Sequence, residues 1–241
     1  MAATRIDEFD LAPGRIIGGK YVIESMIGAG WEGEVYKVIE RRTGATRAMK
    51  VFYPQRNVRD RAVNFYARAL ERLKDCPIVI KYHHSETFRF RGEEITALIS
   101  EFVEGVLLSE LIRRQRGRRL APYEAMWLLR TLAAGVAEIH ARRSYHGDLH
   151  AGNILVQRRG VHFDIKLLDL YDQGGPAVAN IKEDVIDLVR LFYDAVGGPQ
   201  RYQRQPPEVK AICCGLRRGL ILKKFPTARR LVQHLDTFAW E

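Results

Sequence analysis

Two oxygen-bearing side chains stand five residues apart in Tyr145-His146-Gly147-Asp148-Leu149-His150-Ala151-Gly152-Asn153-Ile154-Leu155-Val156. A carboxylate at Asp148 can orient, or accept the proton of, an attacking hydroxyl. The amide oxygen of Asn153 is a hard ligand of the kind Mg²⁺ prefers, and Asp169, at the end of the next apolar run, is a second one. Far upstream, Gly28-Ala29-Gly30-Trp31-Glu32-Gly33-Glu34-Val35 fits G-x-G-x-x-G-x-V. Glycines there allow backbone N–H groups to approach phosphate oxygens that a Cβ would obstruct. A dinucleotide-binding turn would open a helix and carry an acidic residue about 20 positions on; a strand-like pattern follows instead. Lys50, in Ala48-Met49-Lys50, follows Val35 by fifteen positions and ends a β-rich run, where it can contact phosphate. Together these groups would carry out phosphoryl transfer to a hydroxyl.

The elements that must position them change character along the chain. Strand-like patterns occupy Tyr21-Val22-Ile23, Glu34 to Val38, Ala48 to Phe52 and Ile95 to Ser100. One helix, from about Val58 to Leu73, interrupts them and stops before Pro77. From Leu107 the periodicity is helical. Tyr123 to Ala141 places Ala125, Leu128, Leu129, Leu132, Val136 and Ile139 on one face, starting near Pro122. Two short strands, Ile154 to Val156 and Asp164 to Leu168, precede helices expected at about Glu183 to Ala195, Pro207 to Gly219 and Ala228 to Phe238. A β-rich half joined near residue 103 to an α-rich half is an α+β, two-lobed plan.

The 241 residues are 46% hydrophobic, enough for an ordinary core. The sequence contains no run of apolar residues long enough to span a membrane, and the first thirteen residues carry Asp7, Glu8 and Asp10 where a secretory signal would be apolar. A soluble, cytoplasmic protein with no membrane partner is expected. Cys76, Cys213 and Cys214 lack zinc or disulfide spacing and fit incidental thiols in a reducing compartment. The net charge of +10 suits a partner rich in phosphate or carboxylate. Part of it lies in Arg113-Arg114-Gln115-Arg116-Gly117-Arg118-Arg119, first a solvated inter-helix loop and alternatively a docking patch for an acidic protein. No aromatics interleave it, so nucleic acid is not the expected partner.

The ordered set of motifs resembles the protein-kinase superfamily, most of all the bacterial serine/threonine protein kinases, over nearly the whole chain from about Gly18. The resemblance implies a two-lobed protein-kinase-like fold, with a small β-rich N-lobe (18–102), a larger helical C-lobe (103–241) and residues 1–17 as an N-terminal extension. It implies an ATP-binding set of Gly28, Ala29, Gly30, Gly33, Val35, Ala48 and Lys50, with the backbone of Glu101 and Val103 meeting adenine and Ser100 as gatekeeper. Asp148 would be catalytic base, Asn153 and Asp169 the Mg²⁺ ligands, and Asp184 the aspartate that braces the catalytic loop. Phe225 to Leu231 looks like the start of the family's C-terminal helix.

Four departures qualify the resemblance. The helical glutamate that pairs with Lys50 in the family aligns with Tyr66 or Ala67, and Glu71 comes about one turn too late. Gly147 replaces the arginine that senses a phosphorylated activation segment. His150 replaces a phosphate-contacting lysine, either capping the loop or taking over that contact. The metal-binding motif is Asp169-Leu170-Tyr171, and only twelve residues separate Tyr171 from Asp184, too few for a full activation segment. The resemblance thus implies ATP- and Mg²⁺-dependent transfer to a serine or threonine hydroxyl of a protein, with a shortened activation segment. A nucleotide-binding pseudokinase and a small-molecule kinase of the aminoglycoside or choline type are the alternatives.

Overall fold

Alternating apolar and polar side chains build a sheet from the first hundred residues. The structure, a computed structural model, describes residues 5–160, 162–171, 173–174 and 176–237. The chain forms two units, Met1–Lys74 with Ile80–Val103, and Asp75–Val79 with Glu104–Glu241.

The first unit is a six-stranded antiparallel sheet of β1 (Ile16–Ile17), β2 (Tyr21–Ala29), β3 (Gly33–Glu40), β4 (Thr46–Phe52), β5 (Tyr82–Phe90) and β6 (Glu93–Glu101), ordered β1-β2-β3-β4-β6-β5. One face buries Tyr21, Ile23, Tyr36, Val38, Met49, Val51, Ile95 and Ile99. Helix α1 (Arg61–Arg72) buries Val63, Tyr66 and Leu70. It starts later than the periodicity predicts because Arg59 and Asp60 are left-handed at φ 54° and 55°, leaving a single 3₁₀ turn before it. Asn57 closes that start: its Oδ1 accepts the Val63 amide at 3.2 Å and its Nδ2 donates to Asp60 at 2.9 Å.

Residues ahead of β1 join this core. Ile6, Phe9 and Leu11 are buried, with Phe9 stacked on Tyr53 and edge-on to Phe90 at centroid distances of 5.4 and 5.2 Å. The buried carboxylate of Glu34 accepts the amides of Phe9 (2.8 Å) and Asp10 (3.3 Å) and the hydroxyls of Tyr53 (3.2 Å) and Tyr36. Burial and then Glu34 itself raise both phenols, Tyr53 to about 12, so both remain donors. Four donors on one buried carboxylate meet its hydrogen-bonding capacity.

The second unit is mainly helical: α2 (Leu108–Arg114), α3 (Pro122–Ala141), α4 (Ala177–Ala195), α5 (Gly198–Arg201), α6 (Pro207–Cys213), α7 (Arg218–Lys224) and α8 (Ala228–Thr237). A small sheet, β7 (Val106–Leu107), β8 (Ile154–Arg159) and β9 (His162–Leu167), carries the loops described below. α3 is the long buried helix, with Leu128, Leu129, Leu132, Val136 and Ile139 all at 1% exposure or less. Ile78 packs against Gly135 so closely that any Cβ there would collide with it, and the Ile78 carbonyl accepts the Leu167 amide at 2.7 Å.

Two helix boundaries differ from expectation. The helix expected over Pro207 to Gly219 is broken after Cys213, where Cys214, Gly215 and Leu216 all have positive φ. α4 begins six residues early, directly after Pro176. Phe238, the expected end of the last helix, lies outside the described residues, as do residues 1–4. The basic run continues from the end of α2, where exposed Arg113 and Arg114 pair with Glu110. Cys76 and Cys213 are buried, and burial raises the Cys213 thiol to about 12, so it is a packing group rather than a nucleophile. Among the described residues no helix is long and apolar enough to cross a membrane.

Candidate active site

In the first unit the strand register brings the glycine motif to Lys50. β3 pairs with β4 so that Val35 lies opposite Lys50 and Gly33 opposite Phe52. A Cβ at Gly33 would collide with the Val51 carbonyl, so this glycine is required by the neighbouring strand. Gly30 has open space where its Cβ would be, and Gly28 nearly so, as a loop that admits phosphate requires. Ala29 ends β2. Ala48 lies opposite Ser100 in the β4–β6 ladder; Ser100 is 4% exposed. β6 ends at Glu101, whose side chain accepts the Lys81 amide at 3.0 Å, and Val103 follows in the irregular stretch 102–105.

Lys50 has a partner the sequence did not disclose. Its Nζ lies 2.8 Å from Glu32 Oε2 and 3.0 Å from the Tyr66 hydroxyl, which itself donates to Glu32 Oε2 at 2.8 Å. Tyr66, one of the two residues aligned with the helical glutamate, thus reaches Lys50 with its hydroxyl, and a carboxylate comes from the glycine loop. The available signal was the glutamate inside the glycine loop. Glu71 pairs with Lys74 at 2.7 Å.

In the second unit, fully buried Asp184 of α4 organises the loop that carries Asp148. Its carboxylate accepts the amides of His146 (2.8 Å) and Gly147 (2.9 Å) and lies 2.9 Å from His140 Nε2. The buried ring of His146 faces the Leu168 carbonyl through Nε2 at 2.8 Å, while Nδ1 accepts the Asp148 amide at 3.3 Å. That pattern requires the neutral ring protonated at Nε2. Asn153 donates through Nδ2 to the Asp148 carbonyl (3.1 Å) and to Asp148 Oδ2 (2.9 Å), which directs its Oδ1 away from that carboxylate. Asp148 is half-exposed. His150 does cap the loop, accepting the Gly152 amide on Nδ1 at 3.0 Å, and its Nε2 lies 3.5 Å from Asp148 Oδ2. Asp169 has φ 49°, between the Leu168 amide bonded to the Asn153 carbonyl and buried Leu170.

Beyond Asp169 the chain is bolted to the loop that carries Asp148. The Tyr171 amide donates to the His146 carbonyl at 2.9 Å, Gln173 Nε2 donates to the Gly147 carbonyl, and Asn180 Nδ2 donates to the Gly174 carbonyl at 2.8 Å. Only residues 172–176 lie between Tyr171 and α4. The sequence Gly174-Gly175-Pro176 reads as a turn, and its Gly175 lies outside the described residues.

The donor set near the loop consists of two carboxylates and an amide oxygen, hard ligands that fit Mg²⁺. Among the described residues no three His, Cys, Asp or Glu side chains form a metal cage.

The buried histidine makes stability depend on pH. Burial lowers the pKa of His146, and likewise of His83, His84 and His234. On acidification the unfolded chain takes up these protons first, so the contribution is complete above about pH 6.5 and shrinks as pH falls below it. Asp187 and Asp194, whose carboxyls burial raises, act in the opposite sense at the more acidic end. Thermal melts should show a lower Tm at pH 5.5 than at 7.5; an equal or higher Tm would refute the assignment.

Comparison with known proteins follows the same lines. The protein kinase domain family matches residues 21–173. The chain belongs to this family. It is similar to the putative cyclin-dependent kinase F-2 of Oryza sativa subsp. japonica, 30% identical over 76% of this chain and 57% of that protein. It is also similar to the serine/threonine-protein kinase PknA of Corynebacterium glutamicum, 26% identical over 64% of this chain and 32% of that one. The chain therefore spans less than two thirds of the length of these relatives. The PknI kinase domain of Mycobacterium tuberculosis matches in fold, with a TM-score of 0.68 at 19% identity over 94% of this chain and 98% of that one. Rad53 in complex with AMP-PNP does so at 0.68 and 18%, over 89% and 64%.

Proposed function

We propose that the protein transfers the γ-phosphate of ATP to a serine or threonine hydroxyl of a protein. The supporting observation is the catalytic loop, where Asn153 clamps Asp148 and Asp184 fixes the two residues before it. Groups that must meet a reacting hydroxyl within a few tenths of an ångström are held by hydrogen bonds already made, which lowers the entropic part of the barrier. Asp148 would receive the hydroxyl proton, Lys50 would anchor phosphate oxygens, and Glu101 and Val103 would meet adenine through the backbone. Asn153 and Asp169 would hold Mg²⁺, which when bound neutralises charge on the phosphates. His150 is placed to donate to the same carboxylate or to a phosphate. The serine/threonine kinase named among the relatives and the nucleotide analogue held by Rad53 support this reading. A cytoplasmic setting and an acidic docking partner for Arg113 to Arg119 remain part of it.

The direct test is transfer of radiolabelled phosphate from Mg·ATP to the protein itself, to generic proteins and to small alcohols. Label in protein serine or threonine supports the proposal. Label only in small alcohols replaces it with the small-molecule reading, and nucleotide binding without transfer replaces it with the pseudokinase reading, to which the phenol of Tyr66 in α1 lends weight.

A second expectation concerns nucleotide selectivity. Ser100 is small and buried beside Ala48, so a pocket behind adenine should admit N6-benzyl-ATP. Ser100→Phe should fill that space and weaken the analogue's binding by about tenfold or more while sparing ATP. Unchanged affinity for the analogue would show that the adenine segment is placed elsewhere.

A further inference from the structure

In the first unit a lysine, a carboxylate and a phenol form a closed ring of hydrogen bonds. Lys50 Nζ donates to Glu32 and to the Tyr66 hydroxyl, and that hydroxyl donates to the same Glu32 oxygen, with all three contacts between 2.8 and 3.0 Å. The Lys50 and Glu32 side chains are only 13% and 20% exposed. An ammonium that far from water needs a counter-charge, and a phenol cannot supply one.

The placement of Glu32 is set by the surrounding backbone. The Glu32 carbonyl accepts the Tyr53 amide at 2.9 Å, extending the β3–β4 pairing beyond Gly33 and Phe52. The Gly30 amide donates to the Gly33 carbonyl at 2.9 Å and closes the turn. The neighbouring Trp31 ring lies under the Arg56 guanidinium at 3.9 Å. The loop tip is therefore tied to the segment just after β4 at two points, and Glu32 meets Lys50 together with the helix residue Tyr66.

We propose that Glu32 is a positioning residue for Lys50, the glycine loop supplying it with a carboxylate while Glu71 of helix α1 pairs with Lys74, and Tyr66 bridging the two. This rests on the reading of Lys50 as phosphate anchor. Its consequence is that the loop over the nucleotide and the lysine that anchors it hold their places jointly. Because the lysine acts on charge that develops during transfer, loss of Glu32 should appear in kcat more than in KM.

The experiment measures steady-state phosphate transfer from Mg·ATP, to self or to water, together with melting temperature. The proteins compared are the wild type, Lys50→Ala, Glu32→Gln, Tyr66→Phe, the double variant Glu32→Gln/Tyr66→Glu, and Glu24→Gln as control. Glu24 is a carboxylate of the same sheet that pairs with Lys37 at 2.7 Å, so its loss should leave the rate unchanged. Glu32→Gln should lower kcat by about tenfold or more with KM for ATP changed less than about threefold, and Tyr66→Phe should have a smaller effect of the same kind. Lys50 Nζ lies 4.3 Å from the centre of the Tyr66 ring, so a glutamate at 66 places its carboxylate in the space the ring leaves. The double variant should therefore regain much of the lost kcat, which a merely structural role for Glu32 would not allow. Glu32→Gln turning over at or above the wild-type rate, in a protein that Lys50→Ala inactivates, would overturn the proposal. A double variant no faster than Glu32→Gln would do the same. If the wild type transfers nothing, or Lys50→Ala is fully active, the phosphotransfer reading fails first and this proposal falls with it.

Discussion

Asp148→Asn and Asp169→Asn should each lower turnover by at least about 10²-fold while leaving the fold intact. Asp148 is half-exposed, and its Oδ2 already accepts from Asn153, so a substituting amide keeps the size of the side chain but loses the charge and the ability to take a proton. Little stability depends on that charge, because a solvated carboxylate is worth little to the fold. Asp169 sits in a left-handed backbone conformation that asparagine also tolerates, so its substitution likewise removes charge without forcing a rearrangement. The measurement pairs turnover with thermal melting. Two folded variants that both retain wild-type turnover would remove Asp148 and Asp169 from the catalytic set.

Gly147→Ala should destabilise the protein by about 2–5 kcal/mol, and Gly147→Arg by at least as much. The residue has φ 83°, which costs a side-chain-bearing residue about 1–2 kcal/mol. Its Cβ would also collide with the Tyr171 carbonyl oxygen, a backbone atom held by the Tyr171 amide bond to His146; overpacking of that kind costs about 1–3 kcal/mol. For a chain of this size the sum lowers Tm by roughly 4–20 °C. A Gly147→Arg protein melting with the wild type would disprove this account. An arginine at position 147 is thus excluded here, since the Tyr171 carbonyl occupies the space that its Cβ would need. The rate should accordingly survive phosphatase treatment: bonds to His146, Gly147 and Asn180 already hold the segment without a phosphate.

Several features were legible in the sequence because their physics is local. Val35 opposite Lys50 follows from two alternating strands joined by a short connection, and the buried face of α3 follows from its 3.6-residue period. β5 was not legible. Tyr82 to Phe90 includes two histidines, a serine, a glutamate and an arginine, and its more buried alternate positions include His84 and Glu86, so polar composition hid the alternation. The early start of α4 carried a signal in Pro176, which favours the first turn of a helix, but Gly174-Gly175-Pro176 has the composition of a turn as well. The Glu32–Lys50 pair depends on how a glycine turn bends over residues eighteen apart, which no period encodes. Residues ahead of Gly18 gave only short apolar points, Ile6, Phe9 and Leu11, whose partners lie far along the chain.

That last arrangement bears on the order in which the molecule assembles. Phe90, one of the rings against Phe9, follows it by 81 residues. At synthesis rates of about 5–20 residues per second, roughly 4–16 s separate the appearance of the two rings. Until then the growing chain cannot complete the enclosure of Ile6, Phe9 and Leu11, and the cost of closing so long a loop falls on the final step. The earliest-made of these apolar side chains are therefore among the last to be sheltered, and during that interval a nascent chain of this protein depends most on whatever keeps exposed apolar segments from associating.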